Sequence, residues 1–96
     1  MDLSYLEKAL RKIELKNEMI KGISEYCVLN SKGCENEVAK IIDEEYQTHI
    51  VEQKLAIFQA IHEIFVDTAA KGETRFLKLI GGRVKNYIED ITRWEN

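Results

Sequence analysis

The stretch from Lys54 to Gly72, KLAIFQAIHEIFVDTAAKG, is the longest apolar run in the chain. Leu55, Ile57, Phe58, Ile61, Ile64, Phe65 and Ala69 fall three or four residues apart, the spacing of one broad helix face. Ala56 and Ala60 add positions for close packing, and Val66 widens the apolar surface. A helix this apolar is normally surrounded by other helices rather than laid on a surface. Gly72 follows as a left-handed stop. The pattern predicts a central helix running to about Ala70, with earlier and later helices packed onto it.

A chain of 96 residues makes one domain, residues 1–96. A chain of this size buries roughly 65% of its unfolded surface, enough for a core without staples. The charged fraction of 32% and the absence of proline suit a helical protein. No run of 18 apolar residues occurs, so no membrane span is expected. The opening MDLSYLEKAL is charged and lacks a signal-peptide pattern, which points to an intracellular protein.

The net charge of −3 argues against direct nucleic-acid binding by bulk attraction. The charge is uneven, however. Residues 1–70 carry 8 Lys/Arg and 13 Asp/Glu, whereas residues 71–96 carry 6 and 4, so the last quarter is net positive. An anionic partner should prefer that end. Cys27 and Cys34 are expected as reduced thiols, one on a helix and one in a loop. A metal site would need two more ligands, and His49 and His62 have no recognised spacing to the cysteines. No cofactor is expected.

Taken in order, Ser4 and Glu7 are spaced as a capping box for a first helix striped by Leu3, Leu6, Leu10 and Ile13, with Glu7–Arg11 as an i,i+4 pair. Asn17 is the candidate cap of a second helix with Met19, Ile20, Ile23 and Cys27 inward, ending near Asn30–Gly33. Asn36 is the candidate cap of a third, with Val38, Ile41, Ile42 and Tyr46 inward. Asp43, Glu44 and Glu45 read as a solvated acidic face. Residues 47–52 read as a short connection to the central helix. The last helix opens at Thr74 and carries Phe76, Leu79, Ile80, Val84, Tyr87, Ile88, Ile91 and Trp94 at helical spacing. Gly81-Gly82 interrupts it, marking a kink, a break or a close approach of another backbone. The expected architecture is all-α, with about five to six helices.

The chemistry-bearing motifs are mostly absent. His62-Glu63 begins like a zincin HExxH, but position 66 is Val. Gly81-Gly82 lacks phosphate-loop spacing, and no nucleophile–base signature occurs. An enzyme is not expected. A polar stripe does cross the central helix: Gln59, Glu63 and Asp67 step by four, and His62 follows Gln59 by three. It reads either as the solvent edge of that helix or as the floor of a peptide groove, since polar groups on a rigid helix are well placed to hold a ligand.

From Leu6 to Gly72 the chain resembles the RPR domain, also called the CTD-interacting domain, which binds the phosphorylated heptad-repeat tail of RNA polymerase II. LEKALRKIELKNEMIKGISEYCVLNSK is similar to the family's first two helices, and Lys54-Leu55 and Lys71-Gly72 fall at the two ends of its central motif. Inside that motif the family tyrosine is Gln59 here, and the family Asn-Asp pair is His62-Glu63. The basic residues that usually precede Lys-Gly are Ala69-Ala70. The last segment, GGRVKNYIEDITRWEN, is similar either to a sixth or seventh helix or to the family's final GRV segment, whose arginines meet phosphate.

The resemblance implies a small right-handed superhelix of the kind shared by CTD-interacting, VHS and ENTH domains. It implies Gln59, His62, Glu63 and Asp67 as peptide contacts, and Lys71, Arg83 and Arg93 as phosphate contacts, with Arg75, Lys78 and Lys85 nearby. It implies a nuclear protein of transcription or RNA processing; without it, a cytoplasmic location is expected. Each cation also reads as plain solvated surface. The alternative function is a helical assembly module, a homodimer covering the apolar edge of a shortened superhelix, with Trp94 packing into a second copy. An unrelated up-down bundle, such as a small phage or bacterial regulator, and a small enzyme built on a buried His62 or carboxylate complete the alternatives.

Overall fold

In the computed structural model, described for residues 3–30 and 32–94, five helices follow one another: α1 (Leu3–Arg11), α2 (Asn17–Asn30), α3 (Glu35–Thr48), α4 (Val51–Ala70) and α5 (Arg75–Trp94). No strand occurs among the described residues. The apolar stripes explain the elements. Leu6, Leu10 and Ile13 are buried from α1 and its exit, Ile20, Ile23 and Cys27 from α2, and Val38, Ile41, Ile42 and Tyr46 from α3. The central helix α4 buries Ala56, Ile57, Ala60, Ile61 and Ile64, and α5 buries Phe76, Ile80 and Tyr87. Each fully buried Leu or Ile contributes about 1.5–3 kcal/mol over its exposed state.

The helix ends differ from the expected caps. Ser4 lies inside the first turn of α1, and Arg11 turns away from Glu7 to reach Glu45 of α3 at 3.2 Å. Asn17 is the first residue of α2, where the Lys16 carbonyl already accepts the Ile20 amide at 3.0 Å. Asn36 is the second residue of α3, capped at Cys34 without a side-chain hydrogen bond. Nor are residues 47–52 a connection. Gln47 and Thr48 finish α3, Val51 and Glu52 open α4, and only His49-Ile50 joins them. The stop at Gly72 is as expected. With φ +74° it lets the Glu73 amide reach the Thr68 carbonyl at 2.9 Å and its own amide reach Ala69 at 3.1 Å, the paired bonds of a Schellman motif. Gly81-Gly82 does not break α5, which is continuous through both.

The helices alternate between two layers. α1, α3 and α5 pack side by side in one, and α2 and α4 form the other, with α2–α4 the most extensive interface. Within each layer neighbours run parallel. Glu35 pairs with Arg75, Asp43 with Arg83 and Tyr87, and Tyr46 with Asp90 as α3 and α5 advance together. Likewise Lys16, just before α2, lies near Gln53 early in α4, and Leu29 lies near Lys71 just past its end. Such stacking of alternate helices is the arrangement of an α-α superhelix. The radius of gyration, 12.4 Å, matches the roughly 12.5 Å of a compact chain of this length. None of the described helices is long and apolar enough to cross a membrane.

Candidate functional site

The polar residues of α4 do not form one stripe. Gln59, Glu63 and Asp67 share a row because four residues nearly complete a turn, whereas His62 sits about 140° round the helix from Asp67. Asp67 faces α2: with Lys71 it lines a depression of about 240 Å³ whose other wall is Glu25, Val28 and Leu29. Glu63 and Gln59 continue that row one and two turns back, Glu63 half-buried and Gln59 exposed. His62 is exposed on the edge nearer α5. The α2–α4 edge thus holds three carboxylates (Glu25, Glu63 and Asp67), one ammonium and an apolar spot at Leu29, which is 75% exposed. Such a surface can accept hydrogen bonds from an extended backbone, seat one apolar side chain and meet one anion at Lys71.

The cations expected to gather round a phosphate lie apart. Lys71 caps the C-terminus of α4, where the helix dipole favours a positive charge. Arg83 is on the opposite layer, 3.7 Å from Asp43, in an α3–α5 depression of about 380 Å³ that also includes Lys40, Leu79 and Ile80. Arg93 lies about 15 Å farther along α5, beside Tyr46, Lys54 and Asp90 in a depression of about 260 Å³. Arg75 stands 4.0 Å from Glu35, and Lys78 and Lys85 are exposed. Of the expected site residues, the fold therefore assembles Gln59, Glu63, Asp67 and Lys71 on one edge and leaves His62, Arg83 and Arg93 elsewhere.

Sequence reasoning missed a polar lock between α3 and α5. The Tyr46 hydroxyl donates to Asp90 Oδ2 at 3.0 Å, and the Tyr87 hydroxyl donates to Asp43 Oδ1 at 2.6 Å. The two rings lie between these bonds with centroids 4.0 Å apart. Lys54 adds a 3.2 Å ion pair to Asp90 and sits 5.1 Å from the Tyr46 ring centre. Burial, reinforced by the Asp90 and Asp43 carboxylates, pushes both tyrosine pKa values far above the ordinary range. Burial opposes ionisation of Asp90 as well, but the Tyr46 hydroxyl and the Lys54 ammonium outweigh it and hold the carboxyl below its usual range.

The acidic trio is consequently no solvated face. Asp43 belongs to this lock, and Glu45, 8% exposed, takes Arg11 at 3.2 Å and lies 3.6 Å from His49. Only Glu44 stays in solvent, with Lys40 at 4.0 Å. The signal lay in two spacings, Asp43-x-x-Tyr46 and Tyr87-x-x-Asp90, which put one carboxylate and one phenol on the same face of each helix.

Neither Cys27 nor Cys34 is in a disulfide, and burial pushes the Cys27 thiol up to about 12. No group of three or more potential metal ligands occurs among the described residues. Every buried side-chain nitrogen and oxygen among them has a partner. No family model, curated protein or solved structure matches the chain.

Proposed function

We propose that the chain is a protein-interaction module that holds an extended peptide along the α2–α4 edge, with the phosphorylated heptad-repeat tail of RNA polymerase II as the ligand class. The observation that carries the reading is the meeting of Asp67 and Lys71 with Glu25, Val28 and Leu29 in one depression, continued by Glu63 and Gln59. The resemblance of Lys54–Gly72 to the central motif of tail-binding domains supports the choice of ligand. Carboxylates accept from peptide amides or a tyrosine hydroxyl, Leu29 packs an apolar residue, and Lys71 pairs with a phosphate at the end of the groove. With a single cation there, affinity is modest and the phosphate contribution small. Arg83 and Arg93, on the other layer, take no part in this peptide site.

The test is a titration of labelled heptad peptides, unphosphorylated and serine-phosphorylated, against the purified chain and its Glu63→Ala, Asp67→Asn and Lys71→Ala variants. Micromolar binding is expected, weakened by roughly ten-fold in Asp67→Asn, with phosphate preference lost in Lys71→Ala. No binding to any peptide by the folded protein would overturn the reading.

A further inference from the structure

The two layers are unequal: three helices stand in one and two in the other. Among the described residues no third helix stands in the α2–α4 layer, beside α4 and across from α5. Both helices present an apolar seam to that place. On α5, Leu77, Gly81, Val84, Ile88 and Ile91 recur at four and three residues, the spacing of a helix-pairing face. Ile88 is 50% exposed, and Leu77, Val84 and Ile91 are half-buried. On α4, Leu55, Phe58, His62 and Phe65 recur at three and four along the edge away from α2. The edge-to-face contact of Phe65 with Phe76, at 6.1 Å, brings that edge against α5. The Lys54–Asp90 pair at the other end makes the two helices antiparallel.

Gly81 and Gly82 lack an internal explanation. Both are helical, neither has a positive φ, and a Cβ built on either meets nothing within 4 Å. Two glycines inside a helix are costly, by roughly 1 kcal/mol each. Packing of Phe76, Ile80 and Tyr87 holds the helix, but no turn, break or close contact within the described chain calls for glycine rather than alanine at either position. A backbone approaching from outside would.

We propose that the α4–α5 face is a self-association surface, on which a second copy of the chain docks about a two-fold axis with its α5 antiparallel to this one, crossing near Gly81. Three observations favour a second copy over another occupant. A two-fold axis across the helices forces the two α5 helices to be antiparallel, the same direction relative to α5 that the open place in the layer demands. None of the nine seam residues is Asp, Glu, Lys or Arg, although such residues make up 32% of the chain. In an isologous contact a charge on the axis would meet its own copy, so an uncharged seam suits self-pairing, with the exposed Lys85 at its rim. The seam from Leu77 to Ile91 is about 21 Å long and two helices wide, giving roughly 1,000 Å² buried in total. That is the lower bound of a specific interface and predicts a reversible dimer at micromolar concentration. This surface and the peptide edge lie on opposite flanks of α4, so the two proposals stand separately.

The experiment is sedimentation velocity of the full chain from micromolar to near-millimolar concentration, with circular dichroism to certify each variant as folded. A monomer–dimer equilibrium is expected, its dissociation constant raised roughly ten-fold or more by Ile88→Glu and by Gly81→Leu. Gly81→Leu fills open space in the monomer and removes no contact, so it separates lost pairing from lost folding. Leu79→Glu, on the α3 flank of α5, should shift the constant by less than about two-fold. A monomer at every concentration would overturn the proposal and leave the face to another protein. So would a dimer indifferent to Ile88→Glu and Gly81→Leu, or a concentration-dependent series of higher oligomers.

Discussion

Tyr87 of α5 donates its hydroxyl to Asp43 of α3 across 2.6 Å, while its ring lies tilted against that of Tyr46, centroids 4.0 Å apart, and Tyr46 makes the reciprocal bond to Asp90. Each helix supplies one donor and one acceptor, so the pair fixes both the register and the parallel direction of α3 and α5. Hydrogen bonds to charged acceptors contribute about 1.5–3 kcal/mol, less where the acceptor is partly in water as here. Tyr87→Phe and Tyr46→Phe should each lower unfolding free energy by about 1–2 kcal/mol in urea. The double variant should fall short of the sum, because the contacting rings and shared charges couple the sites. Strict additivity would mean the two bonds act independently.

The same lock predicts a stability window. The folded pKa of Asp90 lies below its unfolded value near 4, so its contribution is present above about pH 4 and lost as pH falls through the folded pKa. Tyr46 and Tyr87 have folded pKa values raised above the unfolded value near 10. Their contribution is present below about pH 10 and lost as pH rises beyond it. Urea midpoints across pH should therefore decline at both ends, and Tyr87→Phe should flatten the alkaline limb specifically. An unchanged alkaline limb in that variant would place the loss in other groups.

Two glycines should respond in opposite directions. Gly72 holds φ +74° to end α4, and a Cβ there is strained by about 1–2 kcal/mol, so Gly72→Ala should lower the melting temperature by several degrees. Gly81 is helical and faces open space, so Gly81→Ala should stabilise the monomer by up to about 1 kcal/mol. Thermal melts at low protein concentration separate the two. A loss of stability at Gly81 in the monomer would reveal a contact within the chain.

The helices were readable because three- and four-residue stripes such as Leu6–Leu10, Ile57–Ile61–Ile64 and Phe76–Ile80 carry the core, and periodicity reports a core directly. The left-handed stop at Gly72 was readable for the same local reason. Gly81-Gly82 was not, since propensity predicts the energetic cost of glycine but not whether packing on Phe76, Ile80 and Tyr87 will offset it. Asp43 and Glu45 were misread because charge runs on one helix say nothing of which neighbour arrives. Their partners Tyr87 and Arg11 lie more than thirty residues away in sequence. The candidate α2–α4 edge was half legible. The Gln59–Glu63–Asp67 row follows from spacing alone, but the cations could be grouped only after α5 had a layer, and that layer separates Arg83 and Arg93 from Lys71.

The thiols give a last prediction. Cys27 is 1% exposed among Ile20, Ile23 and their neighbours in the core, and its burial favours the uncharged thiol, with the pKa pushed up to about 12. Only the thiolate is a good nucleophile, so at neutral pH Cys27 is both hidden and almost wholly protonated. Cys34, half-buried at the start of α3 with its thiol donating to the Asn30 carbonyl at 3.5 Å, is the more accessible of the two. Titration with a chromogenic disulfide should consume one thiol per chain in the folded state and a second only in denaturant, with mass spectrometry locating the first adduct on Cys34. The rate for Cys27 should track global unfolding and rise in Tyr87→Phe in proportion to its lost stability. Fast labelling of Cys27 in the native chain would mean that α2 opens locally, and with it the wall of the proposed peptide edge.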